Sequence, residues 1–408
     1  MKTIAVLGTF DTKGAEHRFV AELISRRGCR ALLVDVGGQG QPQLVADVSR
    51  EEVASGAGLD LAALRTKNDR GAMVEAMARA APVMLAKLAS EGRIHGVISL
   101  GGTGGTAIST AAMRALPLGF PKVMVSTVAA GNVAPYLGVK DIVMFPSIVD
   151  VAGLNRFSRA VFARAAAAVC AMVTANDTLV ESAEAKPLIA ASMFGNTTQC
   201  VEHARKLLET AGYEVLVFHA TGAGGRTMES IIESGVVAGV LDITTTEWAD
   251  ELAGGVFAAG PTRLEAAARH GVPAIVTPGC LDMVNFGALD TVPAKYAGRT
   301  FYPHNPQVTL MRTAPAECAE LGRILAEKVN LATGPVTVLL PLHAISLISA
   351  KGQPFHDADA DAALFTAIKT HLRKDIPLRE LDCAINDAAF AEACATALLQ
   401  NISNHNPA

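Results

Sequence analysis

The sequence predicts an α/β protein built from two Rossmann-like three-layer domains with mostly parallel sheets. Three observations carry this prediction. The 408 residues exceed what one compact core usually holds, so two domains are expected. Half of the residues are hydrophobic, which is enough for large cores. Short apolar runs alternate with helical patterns along the chain, and this alternation is typical of parallel sheets covered by helices.

The first β-α-β unit lies at the amino terminus. Residues 3–7 and residues 31–36 are apolar runs that predict two strands, and residues 16–27 between them have helical spacing that ends at Gly28. The same reading predicts further strands at 95–100, 122–126, 142–145, 188–192, 214–219 and 237–243, further helices at 73–90, 106–116, 155–173, 200–211 and 227–234, and a helical tail from residue 357 onward.

A polar stretch at residues 181–187 divides the chain into two predicted domains. We place a nucleotide-binding domain at residues 1–182 and a second domain with the helical tail at residues 183–408. The openings of the two domains resemble each other at an offset of about 185 residues, far longer than the period of a solenoid repeat. This similarity indicates a duplicated domain, although convergent β-α-β patterning would give the same appearance.

Charge and composition exclude several classes of function. The net charge of −4 provides no electrostatic footprint for nucleic acid or an anionic membrane. The seven cysteines are scattered without a C-x-x-C pair, which favours reduced thiols, and the amino terminus lacks the pattern of a signal peptide. The apolar stretches are broken before they reach membrane-spanning length. We therefore expect a cytoplasmic protein with a small-molecule ligand and without nucleic-acid or membrane partners.

The glycine-rich turn GGTGGT at residues 101–106 is the strongest chemical signal. It joins a predicted strand to a predicted helix, where free N–H groups and the helix dipole bind anionic oxygens. Thr103 and Thr106 add hydroxyls at the same rim. The turn lacks the G-K-[ST] of a P-loop and the strict G-x-G-x-x-G spacing. Tight packing of strand on helix also requires glycine, so that alternative stays open.

Other predicted turns of the first domain supply polar side chains. GTFDTKG at residues 8–14 presents Asp11, a candidate for a metal or a ribose, and Lys13, a candidate for a phosphate; an Asx turn with an exposed lysine is the alternative. STVAAGN presents Thr127 and Asn132 after another strand. Asp150 is a candidate carboxylate for metal or substrate, or equally the cap of the following helix.

The second domain carries weaker signals. TGAGGRT at residues 221–227 is a second glycine turn between a strand and a helix, and its Arg226 is suited to a carboxylate or a phosphate. His304, beside Asn305, is a candidate for contacting a substrate, although an isolated loop histidine is more often solvated. Cys280 is more typical of a small buried residue than of a nucleophile. Further polar residues follow strands in this domain: Asp242, Thr244, Thr245, Thr246, Glu247, Asp282 and Asn285.

Several of these motifs occur in the same order as in a known family. GTFDTKG, SLGGTGGT, STVAAGN with SIVDVAGLNR, and the tail GQPFHDADADAALF resemble the ATP-binding domain family typified by the tomato protein for resistance to tomato mosaic virus. The resemblance runs nearly end to end. It implies two Rossmann-like domains, ATP and Mg²⁺ in the first domain, with Asp11 as the candidate metal ligand, and a homodimer. The nucleotide contacts implied by the matching motifs are Thr9, Asp11, Lys13, Gly101, Gly102, Thr103, Gly104, Gly105, Thr106, Thr127 and Asn132.

These observations leave three functions open. One is an enzyme of small-molecule metabolism that holds ATP on GGTGGT in an inter-domain cleft, with His304, Arg226 and Asp150 as candidate catalytic residues. The second is a non-catalytic protein in which ATP stabilises a dimer or an interface, because no Walker lysine and no base–nucleophile pair is evident. The third is a site for a sugar acid or another carboxylate, because a glycine-rich nest recognises oxyanions and not adenine.

Overall fold

A computed structural model describes residues 1–179 and 186–405. The chain divides into two compact units, Met1–Glu184 and Ala185–Ala408. The predicted domain boundary between residues 182 and 183 lies outside the described residues.

The described part of the first unit alternates strands with helices. Its elements are β1 (Thr3–Gly8), α1 (Phe10–Arg26), β2 (Arg30–Asp35), α2 (Arg50–Gly56), α3 (Leu61–Thr66), α4 (Arg70–Ser90), β3 (Gly96–Gly101), α5 (Thr103–Arg114), β4 (Lys122–Ser126), α6 (Ala134–Leu137), β5 (Val143–Pro146) and α7 (Arg156–Leu179). The strands pair in parallel in the order β2-β1-β3-β4-β5. Strand β1 lies between β2 and β3, so the order of the strands reverses at β1. Such a reversal opens a crevice at the carboxyl ends of β1 and β3.

Side chains of alternate residues in β1 serve two separate cores. Ile4 and Val6 are buried on one face with α1 and α7, whereas Ala5 and Leu7 are buried on the other face with α2, α3, α4 and α5. Both faces of the sheet are therefore covered, which explains why β1 reads as a continuous apolar run and why the unit has three layers.

Helix α7 contains a long apolar segment. Its segment Arg156–Ala175, with a mean hydropathy of 1.4, is long and apolar enough to cross a membrane by these two measures. Phe162, Ala165 and Val169 of this segment are nevertheless buried against the sheet. Packing against the sheet thus accounts for these apolar side chains.

The second unit repeats the alternation and adds a small sheet. Its elements are β6 (Leu188–Met193), α8 (Thr198–Thr210), β7 (Glu214–His219), α9 (Ala223–Glu233), β8 (Val237–Thr244), α10 (Glu247–Ala253), α11 (Glu265–Arg269), β9 (Ala274–Gly279), β10 (Met283–Phe286), β11 (Phe301–Asn305), β12 (Val308–Arg312), α12 (Pro315–Val329), β13 (Val336–Pro341), α13 (Ala358–His371), β14 (Leu378–Leu381) and α14 (Ala388–His405). The parallel sheet has the order β14-β13-β9-β8-β6-β7, and β10, β12 and β11 form an antiparallel sheet. Helices α8 and α14 cover one face of the parallel sheet, and α9 to α13 cover the other.

The predicted fold class is confirmed, with differences in detail. The prediction lacked the helices α2, α3, α6, α10, α11 and α12, the strands β9, β13 and β14 and the antiparallel sheet, and β14 interrupts the predicted helical tail. Helices α1, α5 and α9 begin at Phe10, Thr103 and Ala223, earlier than predicted. In α5 and α9, Gly104, Gly105, Gly224 and Gly225 belong to the first helical turn, which a reading based on apolar spacing misses because glycine provides no apolar signal.

A fully buried arginine organises the second unit. Arg263 donates to both carboxylate oxygens of Asp242 at 2.6 and 2.7 Å, to Glu247 at 2.6 Å and to Glu229 at 3.1 Å. Glu229 also accepts the N–H groups of Leu264 and Ala266 at 2.8 Å each. Burial disfavours the charge on Arg263, yet the three surrounding carboxylates raise its pKa well above the ordinary value. The guanidinium is thus the counter-charge for three buried carboxylates.

Replacing Arg263 by methionine removes that counter-charge while roughly preserving side-chain length. We expect R263M to lower the free energy of unfolding by about 3–5 kcal/mol at neutral pH, because unpaired buried carboxylates remain. Urea denaturation followed by circular dichroism measures the change. The matched control is R269M, whose arginine is exposed and paired with Glu265 four residues earlier, and a loss below about 1 kcal/mol is expected there. Equal losses in both variants would contradict this role of Arg263.

His17 is buried beneath the end of β1. Its ring lies so close to Gly8 that a Cβ on Gly8 would be 2.0 Å from Nε2, so only glycine fits there. The Nδ1 atom lies 2.7 Å from the carbonyl oxygen of Lys13 and therefore donates to it. Burial lowers the pKa of His17 to about 4 from 6.5. The imidazole is thus neutral in the folded protein at physiological pH.

The depressed pKa of His17 predicts a loss of stability in acid. Between pH 6.5 and about 4, the unfolded chain binds a proton that the folded chain rejects, so the free energy of unfolding falls as the pH falls, by up to about 3 kcal/mol. We expect H17N, which keeps a donor near the position of Nδ1, to have a shallower decline over this range in urea titrations. H270N, at an exposed histidine, is the control that should keep the wild-type slope. An unchanged slope in H17N would mean that other groups cause the acid sensitivity.

Candidate functional site

The main cavity of the first unit lies at the carboxyl ends of β1, β2 and β3. Its volume is about 490 Å³, within the usual range of small-molecule sites. It coincides with the crevice where the strand order reverses, which is where open parallel sheets hold their ligands. The lining residues are Thr9, Asp11, Thr12, Lys13, Val36, Gly38, Gln39, Gly40, Arg70, Met73, Val74, Met77, Gly102, Thr103, Gly104, Gly105, Ile108 and Asp150.

The glycine turn after β3 presents free backbone donors to this cavity. Gly102 precedes α5 and contributes no side-chain cap, and the first backbone hydrogen bond of the helix is from the N–H of Thr106 to the carbonyl of Gly102. Within residues 1–179 and 186–405, the N–H groups of Thr103, Gly104 and Gly105 have no backbone or side-chain acceptor. A ligand oxygen in the cavity would supply the missing acceptor.

Most glycines of this turn are not required by protein packing. Only at Gly101 would a Cβ be crowded, at 3.0 Å from backbone atoms of Gly105 and Thr106. A Cβ at Gly102, Gly104 or Gly105 would find its nearest neighbour 3.5 to 4.0 Å away, and none of them has a positive φ. Packing of strand on helix therefore explains Gly101 alone, and the other glycines leave open space beside the cavity.

The second glycine turn, at residues 221–227, binds an anion that belongs to the protein itself. The Oε1 atom of Glu247 accepts the N–H groups of Gly222 at 2.7 Å and Gly225 at 3.0 Å. A Cβ on Gly225 would lie 2.1 Å from Oε2 of Glu247, so this glycine is required by the internal carboxylate. Arg226 instead points to the carbonyl of Ala258, to which it donates at 2.9 Å. The sequence thus indicated an anion nest here, but its occupant is internal.

One wall of the main cavity, residues 37–40, is held by two carboxylates. Asp11 accepts the N–H groups of Gln39 and Gly40 at 3.1 and 3.2 Å on the same oxygen, Oδ2. Asp35 accepts the N–H of Gly37 at 2.8 Å, and burial raises its pKa. Arg50 donates to the carbonyl of Gly40 at 2.6 Å and lies within 4 Å of both carboxylates. Asp11 therefore both lines the cavity and positions its wall.

Two cations and an apolar surface complete the cavity. Lys13 lines it and donates through Nζ to the carbonyl of Val151. Arg70, at the start of α4, is exposed and forms no hydrogen bond or ion pair with any described residue. The apolar side consists of Val36, Met73, Val74, Met77 and Ile108. Neither Arg70 nor this apolar surface was identified from the sequence. The spacing of Met73 and Met77, which places them on one face of α4, was the feature that could have indicated the surface.

Four residues implied by the resemblance do not line this cavity. Gly101 and Thr106 are buried, and the Thr106 hydroxyl is hydrogen-bonded to that of Ser126 at 2.6 Å. Thr127 lines a neighbouring cleft instead. Asn132 accepts the N–H of Ala134 and stabilises the start of α6.

Asp150 lies between the main cavity and that neighbouring cleft, and it lines both. Asp150 does not cap α7, which was its alternative role in the sequence analysis. Asn155 accepts the N–H groups of Phe157 and Ser158 at 2.9 and 3.0 Å at the start of α7. The Asp150 carboxylate has no hydrogen-bond partner in the described part of the chain, which leaves it available to a ligand.

The remaining candidates of the second unit have local roles. His304 is exposed on β11, and Asn305 accepts the N–H of Gln307 in the following turn. Burial raises the pKa of the Cys280 thiol well above its ordinary value, which opposes formation of a thiolate. Burial raises the pKa of Asp282 to about 6, and Asn285 donates to Asp250 at 2.9 Å. A cavity of this unit is only about 20 Å³ in volume and mostly apolar, and none of these residues lines it.

Comparison with known proteins identifies the family. Residues 2–178 match the N-terminal domain, and residues 186–402 the C-terminal domain, of the Uncharacterised protein family (UPF0261). A UPF0261 protein of Clostridium tetani is 47% identical over 399 residues, which cover 98% of each chain. A UPF0261 protein of Rhizobium meliloti is 48% identical over 99% of this chain and all of the relative.

The resemblance to the tomato protein is also confirmed. The ToMV resistance protein Tm-1(GCR237) of Solanum lycopersicum is 41% identical over 338 residues, which span 81% of this chain but only 45% of the tomato protein. The match with the family's two domain descriptions covers nearly the whole sequence. The chain is therefore a member of the UPF0261 family and contains both of its domains.

Proposed function

We propose that the cavity of the first unit binds ATP or another nucleoside phosphate. The observation that carries this proposal is the contrast between the two glycine turns. Glu247 fills the nest of the second unit with an internal carboxylate, whereas the N–H groups of Thr103, Gly104 and Gly105 face a cavity of about 490 Å³ without an acceptor among the described residues. An external oxyanion is the complementary ligand for such donors.

The residues that line the cavity favour a nucleotide over a simple anion. The apolar side formed by Met73, Val74, Met77 and Ile108 is suited to a base, and the phosphates would lie on the N-terminus of α5. Lys13 and Arg70 provide positive charge for additional phosphate groups. A sugar acid would use the donors but leave the apolar side without a matching group, so it is the second candidate.

The residues also fit a magnesium ion that accompanies the phosphates. Magnesium in such sites is usually held by one or two carboxylates, waters and phosphate oxygens. Asp11 lines the cavity and is the carboxylate that would hold the ion, while its Oδ2 atom already accepts the N–H groups of Gln39 and Gly40. No three histidine, cysteine, aspartate or glutamate side chains of the described residues are arranged to hold a metal ion, so the ligand would have to supply part of the coordination. Bound to the phosphates, the ion would neutralise their charge.

A homodimer and a cytoplasmic location remain predictions from the sequence and the family resemblance. A non-catalytic role for ATP stays the alternative to an enzymatic one. Turnover measured on protein that binds ATP separates these two roles.

Replacing Gly104 by valine tests the nest. The added Cβ would lie 3.5 Å from Val74 on the cavity surface, and the branched side chain would occupy the space expected for a phosphate. We expect G104V to weaken ATP binding at least about tenfold in calorimetric titration, a loss of about 1.4 kcal/mol. The matched control is G56V in α2, where the added Cβ would also lie 3.5 Å from a side-chain carbon but outside the cavity. ATP affinity in G104V equal to that in G56V would overturn the assignment of the phosphate site.

Replacing Arg70 by alanine tests the charge of the ligand. A charge-assisted contact contributes about 1.5–3 kcal/mol, so R70A should weaken ATP binding about tenfold or more. AMP and adenosine should be affected much less if Arg70 contacts the outer phosphates. R79A on the same helix, where Arg79 pairs with Glu75, is the control. Tighter binding of glucuronate than of ATP by the wild-type protein would favour the sugar-acid alternative.

A further inference from the structure

A second cleft adjoins the proposed nucleotide cavity at the carboxyl ends of β4 and β5. Its volume is about 490 Å³, and it is lined by residues 146–150 together with Thr127 and Ala130. Thr127 also connects it to the glycine turn, because its hydroxyl lies 3.9 Å from the position that a Cβ on Gly102 would take. The two sites therefore meet at the first turn of α5 and at Asp150.

The segment that separates the two sites is held in an unusual conformation. Ile148 has a positive φ of 66°, which is rare for a β-branched residue, and its side chain is exposed on the cleft. Ser147 on its amino side donates to the carbonyl of Val149 at 2.6 Å, and its N–H donates to the carbonyl of Ser126 at the end of β4. Such strain persists only where neighbouring contacts enforce it, and these contacts fix the approach of the chain to Asp150.

Helix α1 anchors the other side of the same segment. Lys13, which lines the nucleotide cavity, donates to the carbonyl of Val151, and Glu16 accepts the N–H of Gly153 at 2.5 Å. Asp150 thus lies in a loop fixed at both ends, while its own carboxylate is free of described partners. A carboxylate that is positioned by its backbone and faces two sites is suited to take a proton from one ligand as it reacts with the other.

We propose that the second cleft binds a neutral alcohol and that the protein transfers the terminal phosphoryl group of ATP to it, with Asp150 as the general base. This inference rests on the proposed binding of ATP in the adjoining cavity. Asp150 accepts the proton of the alcohol, the alcohol oxygen forms a bond to the terminal phosphorus, and the bond from that phosphorus to the bridging oxygen breaks. The products are a phosphate monoester and ADP, which leaves with the bridging oxygen.

The lining of the cleft defines the class of acceptor. No lysine, arginine or histidine lies among its lining residues, and Asp150 is their only charged member. A carboxylate or a phosphate would meet repulsion there without a counter-charge. Thr127 and Ser147 offer polar contacts beside Ala130, Pro146 and Ile148, so a small hydroxylated molecule with an apolar part fits best.

The first experiment separates binding from chemistry. ATP affinity is measured by calorimetry, and formation of ADP is measured with glycerol, butane-1,2-diol and glucose as acceptor probes, and with water alone. The wild-type protein should bind ATP and form ADP faster with at least one alcohol than with water. Absence of ATP binding would overturn the proposed function, whereas ATP binding without any stimulation by these alcohols would overturn the present inference alone.

The second experiment uses a variant of Asp150, which lies between the two sites, and a variant of Ala130, which lines the second cleft. D150N should lower turnover at least about 100-fold, a typical contribution of a general base, while ATP affinity stays within about twofold. D290N, at an exposed aspartate of the second unit, is the matched control. A130F should fill the cleft and raise the KM for the alcohol without changing ATP affinity. Wild-type turnover in D150N would exclude Asp150 as the base.

A binding measurement that does not depend on turnover completes the test. Saturation-transfer NMR of the alcohol probe in the presence of a non-hydrolysable ATP analogue should show contact with wild-type protein and with D150N. The signal should be lost in A130F, because the cleft is filled while the nucleotide site stays intact. An unchanged signal in A130F would show that the alcohol binds elsewhere and would overturn the acceptor site.

Discussion

Backbone N–H groups in the first turn of a helix have no acceptor within that helix, and both units place such a turn at the end of a parallel strand. The second unit satisfies two of these donors with Glu247, a residue that begins the helix after β8, the next strand along the chain. In the described part of the first unit, no carboxylate accepts the N–H groups of Thr103, Gly104 or Gly105. The second unit therefore satisfies this constraint internally, whereas the first unit leaves its donors directed at the cavity.

The charged residues around each glycine turn differ accordingly. An internal carboxylate must be neutralised, and Glu247 shares the buried Arg263 with Asp242 and Glu229 in a network that stabilises the second unit. In the first unit, Asp11 and Asp35 are directed at the backbone of the cavity wall, and Arg50 lies beneath them. The polar residues there fix the shape of the cavity wall, and such pre-ordering would lower the entropic cost of binding the proposed ligand.

The sequence predicted the parallel sheets because burial on both faces produces continuous apolar runs, such as residues 4–7 of β1. It also indicated both glycine turns and Asp150. It did not indicate Arg70 or Arg263, because their importance arises only when distant segments meet: Arg263 contacts Asp242 and Glu229 across 21 and 34 residues. It could not distinguish an internal anion from an external one, because Glu247 reaches Gly222 across 25 residues. The antiparallel strands β10 to β12 were missed because they are short and lack a regular alternation of apolar and polar residues.

The four glycines of the turn after β3 differ in what a side chain would meet. A side chain at Gly101 would collide with the backbone of α5, whereas side chains at Gly102, Gly104 and Gly105 would meet only open space or ordinary contacts. Packing within the fold therefore requires glycine at Gly101 alone, and the proposed ligand would account for the other three glycines. In the evolution of the family, a lineage that lost the ligand would be expected to retain Gly101 and to accumulate alanine or serine at the other three positions without losing stability. The pattern of glycine loss across relatives would thus indicate which members retain the proposed site.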